Sequence, residues 1–340
     1  IFLNNIKLQD SEEVKDIGNL HLTAYQLGEL QCFNLESSFL DAFLSGSGNL
    51  RDFLSEIQDI TTRRDLPALH PKDNHIDDQI TEKYMLRVLT GDSRKLLSFI
   101  MPGLYIADST RVNISTDTDG SLKGTLNSSR LAYGSNYLRD VKISFDNLDR
   151  SLIAEMQAQE LMAAGMDLSN PTVTAFADDN AFKLEARVAS NTDAQKKAVL
   201  DIDGKIYRDS LDRLNITASP SRTYLATSLG KWQFNDKSVH LRDGKIHIDS
   251  ISINNGVQSI LLNGALSADS KDTLSVRFND MDLAIIDQFT ANPFYISGLT
   301  NGNIEIISEA KQTQAMLADL NISKLKIGDT DGGTLRIASI

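Results

Sequence analysis

The residues best suited to chemistry are few and scattered. The histidines are His21, His70, His75, His240 and His247. Only His70 and His75, with Asp73, Asp77 and Asp78 beside them, are close enough in sequence to suggest a metal cluster, and their polar, proline-containing surroundings read as a solvated loop. Asp117-Thr118-Asp119-Gly120 and Asp329-Thr330-Asp331-Gly332 look like pieces of a calcium loop. However, Ser115 and Ile327 occupy the first ligand position, Leu126 stands where the first motif needs a bidentate Glu, and the second stops short of that position. Both read as turns in which Gly supplies a positive φ.

Nucleophilic and phosphate-binding patterns are equally thin. Ser45-Gly46-Ser47-Gly48-Asn49-Leu50 lacks the third glycine of a dinucleotide fingerprint and the lysine of a phosphate loop, so it reads as a helix break. Neither a G-x-S-x-G elbow nor an H-E-x-x-H zinc motif occurs. The single cysteine, Cys32, excludes an intramolecular disulfide and a multi-Cys zinc site and has no histidine near it in sequence. The carboxylates are too numerous for a catalytic pair to stand out, which leaves a carbohydrate-active enzyme on a β-solenoid open by counting alone. Trp232, in Gly230-Lys231-Trp232-Gln233-Phe234, reads as a core or sheet anchor before a sugar platform. No catalytic residue, metal or cofactor is expected.

The chain has 340 residues, with 34 basic against 46 acidic side chains and a net charge of −12, which argues against a nucleic-acid partner because phosphate binding needs a basic face. Hydrophobic residues at 41% and charged residues at 24% place it among folded, water-soluble chains. No run of 18 apolar residues occurs, and Ile1-Phe2-Leu3-Asn4-Asn5 has neither an initiator Met nor a signal pattern. The last residues stop inside an alternating pattern. The expectation is therefore a segment of a longer protein whose membrane anchor lies outside it.

Periodicity divides the chain into three stretches. Residues 1–35 alternate, as in Ile6 and Leu8 or Leu20 and Leu22, and predict leading β-strands. Residues 36–103 predict a helical insert or cap around a polar loop at 61–77. There the apolar residues fall at helical spacing: Phe39, Leu40, Phe43 and Leu44; then Leu50, Phe53, Leu54 and Ile57; then Ile80, Tyr84, Val88 and Leu89; and a short fourth helix ends at Pro102-Gly103. Asn49 is the expected N-cap of the second. The stripes carrying Phe39, Phe43, Leu50, Phe53, Leu54 and Leu97 are expected to cover the sheet. Residues 104–340 predict an elongated, repetitive, antiparallel-rich β-sheet that continues further. One face carries Ile246, Ile248, Ile251, Ile253, Ile260, Leu262, Leu274, Val276, Phe278, Ile304 and Ile306, and the other carries His247, Ser252, Arg277 and Glu305. The ambiguous stretch from Leu152 to Ala164 is read as strand. Tyr137-Leu138-Arg139-Asp140-Val141-Lys142-Ile143-Ser144 looks like His240-Leu241-Arg242-Asp243-Gly244-Lys245-Ile246-His247, a weak internal repeat. From periodicity alone, an ordinary buried core is the first reading of the oily face and a lipid-facing groove the second.

Several stretches resemble the TamB family, the inner-membrane component of the translocation and assembly module of Gram-negative bacteria, within the AsmA-like group of bridge-like lipid-transfer proteins. They are Leu96-Leu97-Ser98-Phe99-Ile100-Met101-Pro102-Gly103-Leu104-Tyr105-Ile106, Gly256-Val257-Gln258-Ser259-Ile260-Leu261-Leu262-Asn263-Gly264-Ala265-Leu266-Ser267, and Asn279-Asp280-Met281-Asp282-Leu283. Phe294-Tyr295-Ile296-Ser297-Gly298-Leu299-Thr300-Asn301-Gly302 fits the glycine spacing before a new strand pair. The likeness spans roughly residues 95–340 and rests on rhythm more than on an invariant signature. It implies a long sheet curled into a trough with an apolar interior, in the periplasm. It further implies phospholipid acyl chains as ligand, an outer-membrane barrel partner of the TamA/BamA type and contact with the inner membrane through a segment outside this chain. The alternative within the same family is a scaffold that pairs strands of nascent outer-membrane barrels. Neither activity needs catalysis.

Overall fold

The computed structural model describes residues 1–9, 14–69, 82–147, 151–163, 165–191, 193, 195–227, 229–267, 270–288, 295–309 and 312–339. The His70 to Asp78 group lies outside them. Strands make up 69% of the chain and helices 9%, so the fold is mainly β, and the strand pairing is antiparallel. Two compact units divide the chain, Ile1–Asp179 and Asn180–Ile340.

The first unit contains β1 (Phe2–Gln9), β2 (Val14–Leu27), β3 (Leu30–Ser37), β4 (Leu40–Gly46), α1 (Phe53–Arg64), β5 (Tyr84–Thr90), α2 (Arg94–Ile100), β6 (Leu104–Ile106), β7 (Arg111–Thr116), β8 (Leu122–Tyr133), β9 (Asn136–Asp146), β10 (Leu152–Gln157), β11 (Glu160–Ala163) and β12 (Met166–Asp178). Strands β1 to β5 pair in sequence, β5 continues to β7, and β7 continues to β8 and β9. Strand β6 also lies on β8, while β10 and β11 both bridge β9 and β12. The reading of 152–163 as strand therefore holds.

Two of the four expected helices are strands. Of the run Phe39 to Leu44, Leu40 to Leu44 lie in β4, and Tyr84, Val88 and Leu89 lie in β5, which pairs with β4 from Leu40↔Thr90 to Gly46↔Tyr84; Ile80 lies outside the described residues. Short apolar runs fit either period, and the ladder between them decides. Pairing also runs across the expected boundaries: β3 spans 35/36, and the β5–β7 ladder joins residues 84–89 to 111–116. The helix-bearing stretch is thus an excursion within one sheet. Asn49 does cap as expected, its side chain accepting from the Arg51 N–H at 3.1 Å on the 3-10 turn Leu50–Asp52 that leads into α1. The helix then runs into the expected polar loop as far as Arg64.

Helix α1 is held by a small core. Phe53 and Ile60 are buried, and the Phe53 ring meets Tyr84 edge-on at 5.7 Å. A Cβ at Gly46 would collide with the Tyr84 ring and one at Gly48 with the Tyr84 hydroxyl and the Glu82 carboxylate, and the Tyr84 hydroxyl donates to the Asn49 carbonyl at 3.1 Å. The glycines taken from sequence as a helix break thus make room for an aromatic ring. Leu54, expected on the covering stripe, is 75% exposed, because it follows Phe53 by one residue and points elsewhere on the helix.

The second unit contains β13 (Ala181–Ser190), β14 (Lys197–Arg208), β15 (Leu214–Pro220), β16 (Tyr224–Thr227), β17 (Gly230–Phe234), β18 (Val239–Arg242), β19 (Lys245–Asn254), β20 (Ser259–Ser267), β21 (Asp272–Asp282), β22 (Ile296–Glu309), β23 (Gln312–Ile327) and β24 (Thr330–Ala338), with a 3-10 turn at Leu283–Gln288. Strand β14 pairs with β13, β15 and β16; β15 leads to β18 and β16 to β17; both then meet β19. From β19 to β24 each strand pairs with the next.

The proposed internal repeat is not a structural one. Tyr137–Ser144 lies within the single strand β9, whereas His240–His247 forms a hairpin from β18 to β19. What the two share is local: Asp140 and Asp243 both adopt positive φ, 51° and 50°. The turn readings also divide. Gly120 has φ +77°, as expected, but near the second motif the positive angles belong to Gly328 and Gly333 and not to Gly332.

Candidate functional site

The oily residues singled out from sequence lie on β19 to β22, and the register shows which of them meet. Ile251, Leu262, Val276 and Ile304 follow one another across four strands. Beside that row run Ile253, Ile260 and Phe278, the last opposite Gly302, and on the other side Leu274 and Ile306 are opposite each other, reached from Ile248 through Gly264. Ile246 meets Leu266 further along. Directly paired residues share a face, so the ladder gathers all eleven on one side.

This alignment depends on a bulge. Ile248 and Ile251 are an odd number of positions apart and would face opposite ways in a regular strand. The register shifts between them, and Ser250 takes φ +51°. Asn235 fixes the bulge, donating from Nδ2 to the Ser250 carbonyl at 3.0 Å and accepting the Ser252 N–H at 3.1 Å.

Most of this face is only half covered. Leu274 is buried at 7% exposure, Ile246 is 42% exposed, and the remaining nine residues lie between. One part meets a packed cluster. Trp232, Met281 and Ile285 form a buried cluster against which Ile253, Ile260 and Phe278 pack, together with Leu225. These three residues, expected to line a groove, pack against the cluster formed by Trp232 on β17 and the turn after β21 while staying partly exposed. Trp232 is the core anchor that its sequence context suggested.

The opposite face is mostly polar, with Leu261, Ala265 and Ile307 interspersed. His247 and Arg277 are exposed, and Ser252 and Glu305 are half-buried. His240 and His247 pair across β18 and β19, and their Nε2 atoms reach the two oxygens of Asp249 at 3.1 and 2.9 Å. These contacts, that of His240 foremost, hold the Asp249 carboxyl below the usual carboxylate range. Lys245 donates to Asp272 at 2.5 Å and holds that carboxyl at about 2. Arg242 donates from Nε to the buried Asn215 at 2.7 Å. Together they border an open depression of about 690 Å³. Among the described residues no group of three or more histidine, cysteine or acidic side chains is arranged to hold a metal ion.

Of the buried side chains on the oily face, Trp232 was singled out from sequence as an anchor and Thr300 was not. The Trp232 Nε1–H and the Thr300 hydroxyl are buried, at 3% and 4% residue exposure, and neither has a hydrogen-bond partner. Thr300 is opposite Met281 across the β21–β22 ladder. Nothing in Gly298-Leu299-Thr300-Asn301-Gly302 marks this threonine as special.

No family model, curated protein or solved structure matches the chain.

Proposed function

We propose that this chain is a non-enzymatic, TamB-like periplasmic segment in outer-membrane biogenesis that carries phospholipid acyl chains along the apolar face of its β-sheet, between an inner-membrane anchor and an outer-membrane barrel partner. The observation that carries the reading is the half-covered strip of Ile, Leu and Val on β19 to β22. A closed core would bury such a strip on both sides. Here Ile251, Leu262, Val276 and Ile304 keep part of their surface free. Each acyl methylene moved onto such a surface from water gains about 0.8 kcal/mol at full burial, so a few adjacent rows suffice to hold a chain.

The curled trough is part of this proposal.

The test is lipid transfer between donor and acceptor vesicles. Val276→Arg should abolish transfer while leaving the melting temperature within a few degrees, because a half-exposed arginine can extend its charge to water. Unfolding of this variant would identify Val276 as part of a packed core, where an unpaired charge is severely destabilising, and would remove the basis of the reading.

A further inference from the structure

The polar face of the second unit carries four basic side chains in a block, and their charges are not equally satisfied. Across β18 and β19, Arg242 pairs with Lys245 and His240 with His247. The two rows continue through Asn215 and Thr217 on β15 to Tyr207 and Lys205 on β14, and directly paired residues share a face. Arg242, Lys245, both histidines, Asn215 and Tyr207 line the depression of about 690 Å³, a size that falls within the roughly 300–1,000 Å³ of small-ligand sites. The carboxylates that line it are already engaged, Asp243 by Arg213 at 2.8 Å and Asp249 by both histidines. Lys245 is held by Asp272. Arg242 differs from the other three. Only its Nε is used, donating to Asn215 Oδ1, and among the described residues its two Nη groups have no hydrogen bond or ion pair. Asn215 is 2% exposed, and its Nδ2 donates to the Arg213 carbonyl at 2.7 Å. A buried amide with both ends satisfied thus holds an exposed guanidinium and leaves its outer fork to the depression.

Holding a long side chain in one geometry costs rotamer entropy, and a guanidinium fixed in this way is pre-organised to bind an oxyanion through two parallel N–H bonds. Tyr207 adds a hydroxyl that has no hydrogen-bond partner among the described residues. A carboxylate is used up by the fork, whereas a phosphate has oxygens left for this hydroxyl. Lys205, Thr217 and Ser267, the neighbours on this face, give an acyl chain nothing to lie on. We propose that Arg242, positioned by Asn215, anchors a binding site for the phosphate group of a small, water-soluble phosphate ester. The site lies on the face opposite the acyl strip and stands independently of it.

The experiment titrates the whole chain at low salt with glycerol 3-phosphate, glycerol, acetate and phosphatidylglycerol vesicles, and follows the heat of binding. Glycerol 3-phosphate should bind, glycerol should not, and acetate should bind about tenfold more weakly. Arg242→Gln should weaken glycerol 3-phosphate binding by about tenfold or more. Arg242→Lys, which keeps the charge and loses the fork, should weaken it by about threefold or more. Both variants should melt within a few degrees of the parent, because the residue is exposed. Tyr207→Phe removes only the hydroxyl and should weaken binding severalfold. Asn215→Leu should weaken binding in the parent and add no further loss to Arg242→Gln, which separates a positioning role from a merely structural one. Binding unchanged in Arg242→Gln, acetate binding as tightly as glycerol 3-phosphate, or no heat from any of the small ligands would overturn the site. Vesicles that bind through Arg242 while glycerol 3-phosphate does not would overturn the water-soluble ligand.

Discussion

Asp209, Asp249 and Asp272 hold their charge by hydrogen bonds and not by burial, and this sets how the second unit answers acid. Asp209 is held at about 2, chiefly by Arg213, and Asp272 at about 2, chiefly by Lys245. Asp249 is lowered by His240 and His247. Each has a folded value below its unfolded one, so its contribution is complete above the ordinary carboxylate range near ~4 and disappears as pH falls toward ~2. Asp249 is exposed, and so are Arg213 and Lys245, the partners of Asp209 and Asp272, which keeps each contribution modest. The expected outcome is a urea midpoint that declines between about pH 4 and about pH 2, with Asp272→Asn flattening part of that decline. A decline of the same size in the variant would show that Lys245–Asp272 contributes nothing to it. The histidines of this cluster were visible in sequence, but Asp249 was not connected with them, because the pairing of His240 with His247 exists only once β18 and β19 have folded into a hairpin.

For the elements, sequence period identified the oily strands and misread shorter runs. Tyr84, Leu86 and Val88 alternate as a strand requires, yet Tyr84, Val88 and Leu89 also fit a helical stripe, and only the ladder with β4 separates the two. In α1 the period was sound, and the error lay in the width of its stripe. Phe53→Asp should therefore lower the melting temperature by several degrees, since it removes the contact with Tyr84 and buries a charge, whereas Leu54→Asp should leave it within about a degree. Both are read by thermal unfolding followed by circular dichroism. The bulge at Asp249 and Ser250 was not legible at all. The alternating pairs Ile246/Ile248 and Ile251/Ile253 each looked regular, and their odd separation was the one available sign of an extra residue between them. Deleting Ser250 makes the separation of Ile248 and Ile251 even, so a regular strand keeps both pairs on the oily face, and the variant should stay soluble with no rise in binding of an apolar dye. Loss of soluble protein, or a marked rise in dye binding, would mean that the bulge does more than keep the two pairs in phase.

For the whole molecule, the mainly β class was legible because alternation recurs over most of the chain. The division into units was not. Residues 36–103 looked separable because helices interrupt the pattern there, but the ladder between β5 and β7 runs across the expected boundary. The two compact units meet at 179/180, where composition gives no signal. The apolar face was legible residue by residue, while its packing at Ile253, Ile260 and Phe278 depends on Trp232 and Ile285, which lie on elements distant in sequence from one another. The account's central claim is that the half-covered rows of the second unit carry acyl chains, and photo-crosslinking in cells tests it most directly. A crosslinking side chain at Ile248 or Val276 should capture phospholipid, and the same probe at His247 or Arg277, on the opposite face, should not. Equal capture from both faces, or capture from neither, would contradict the claim.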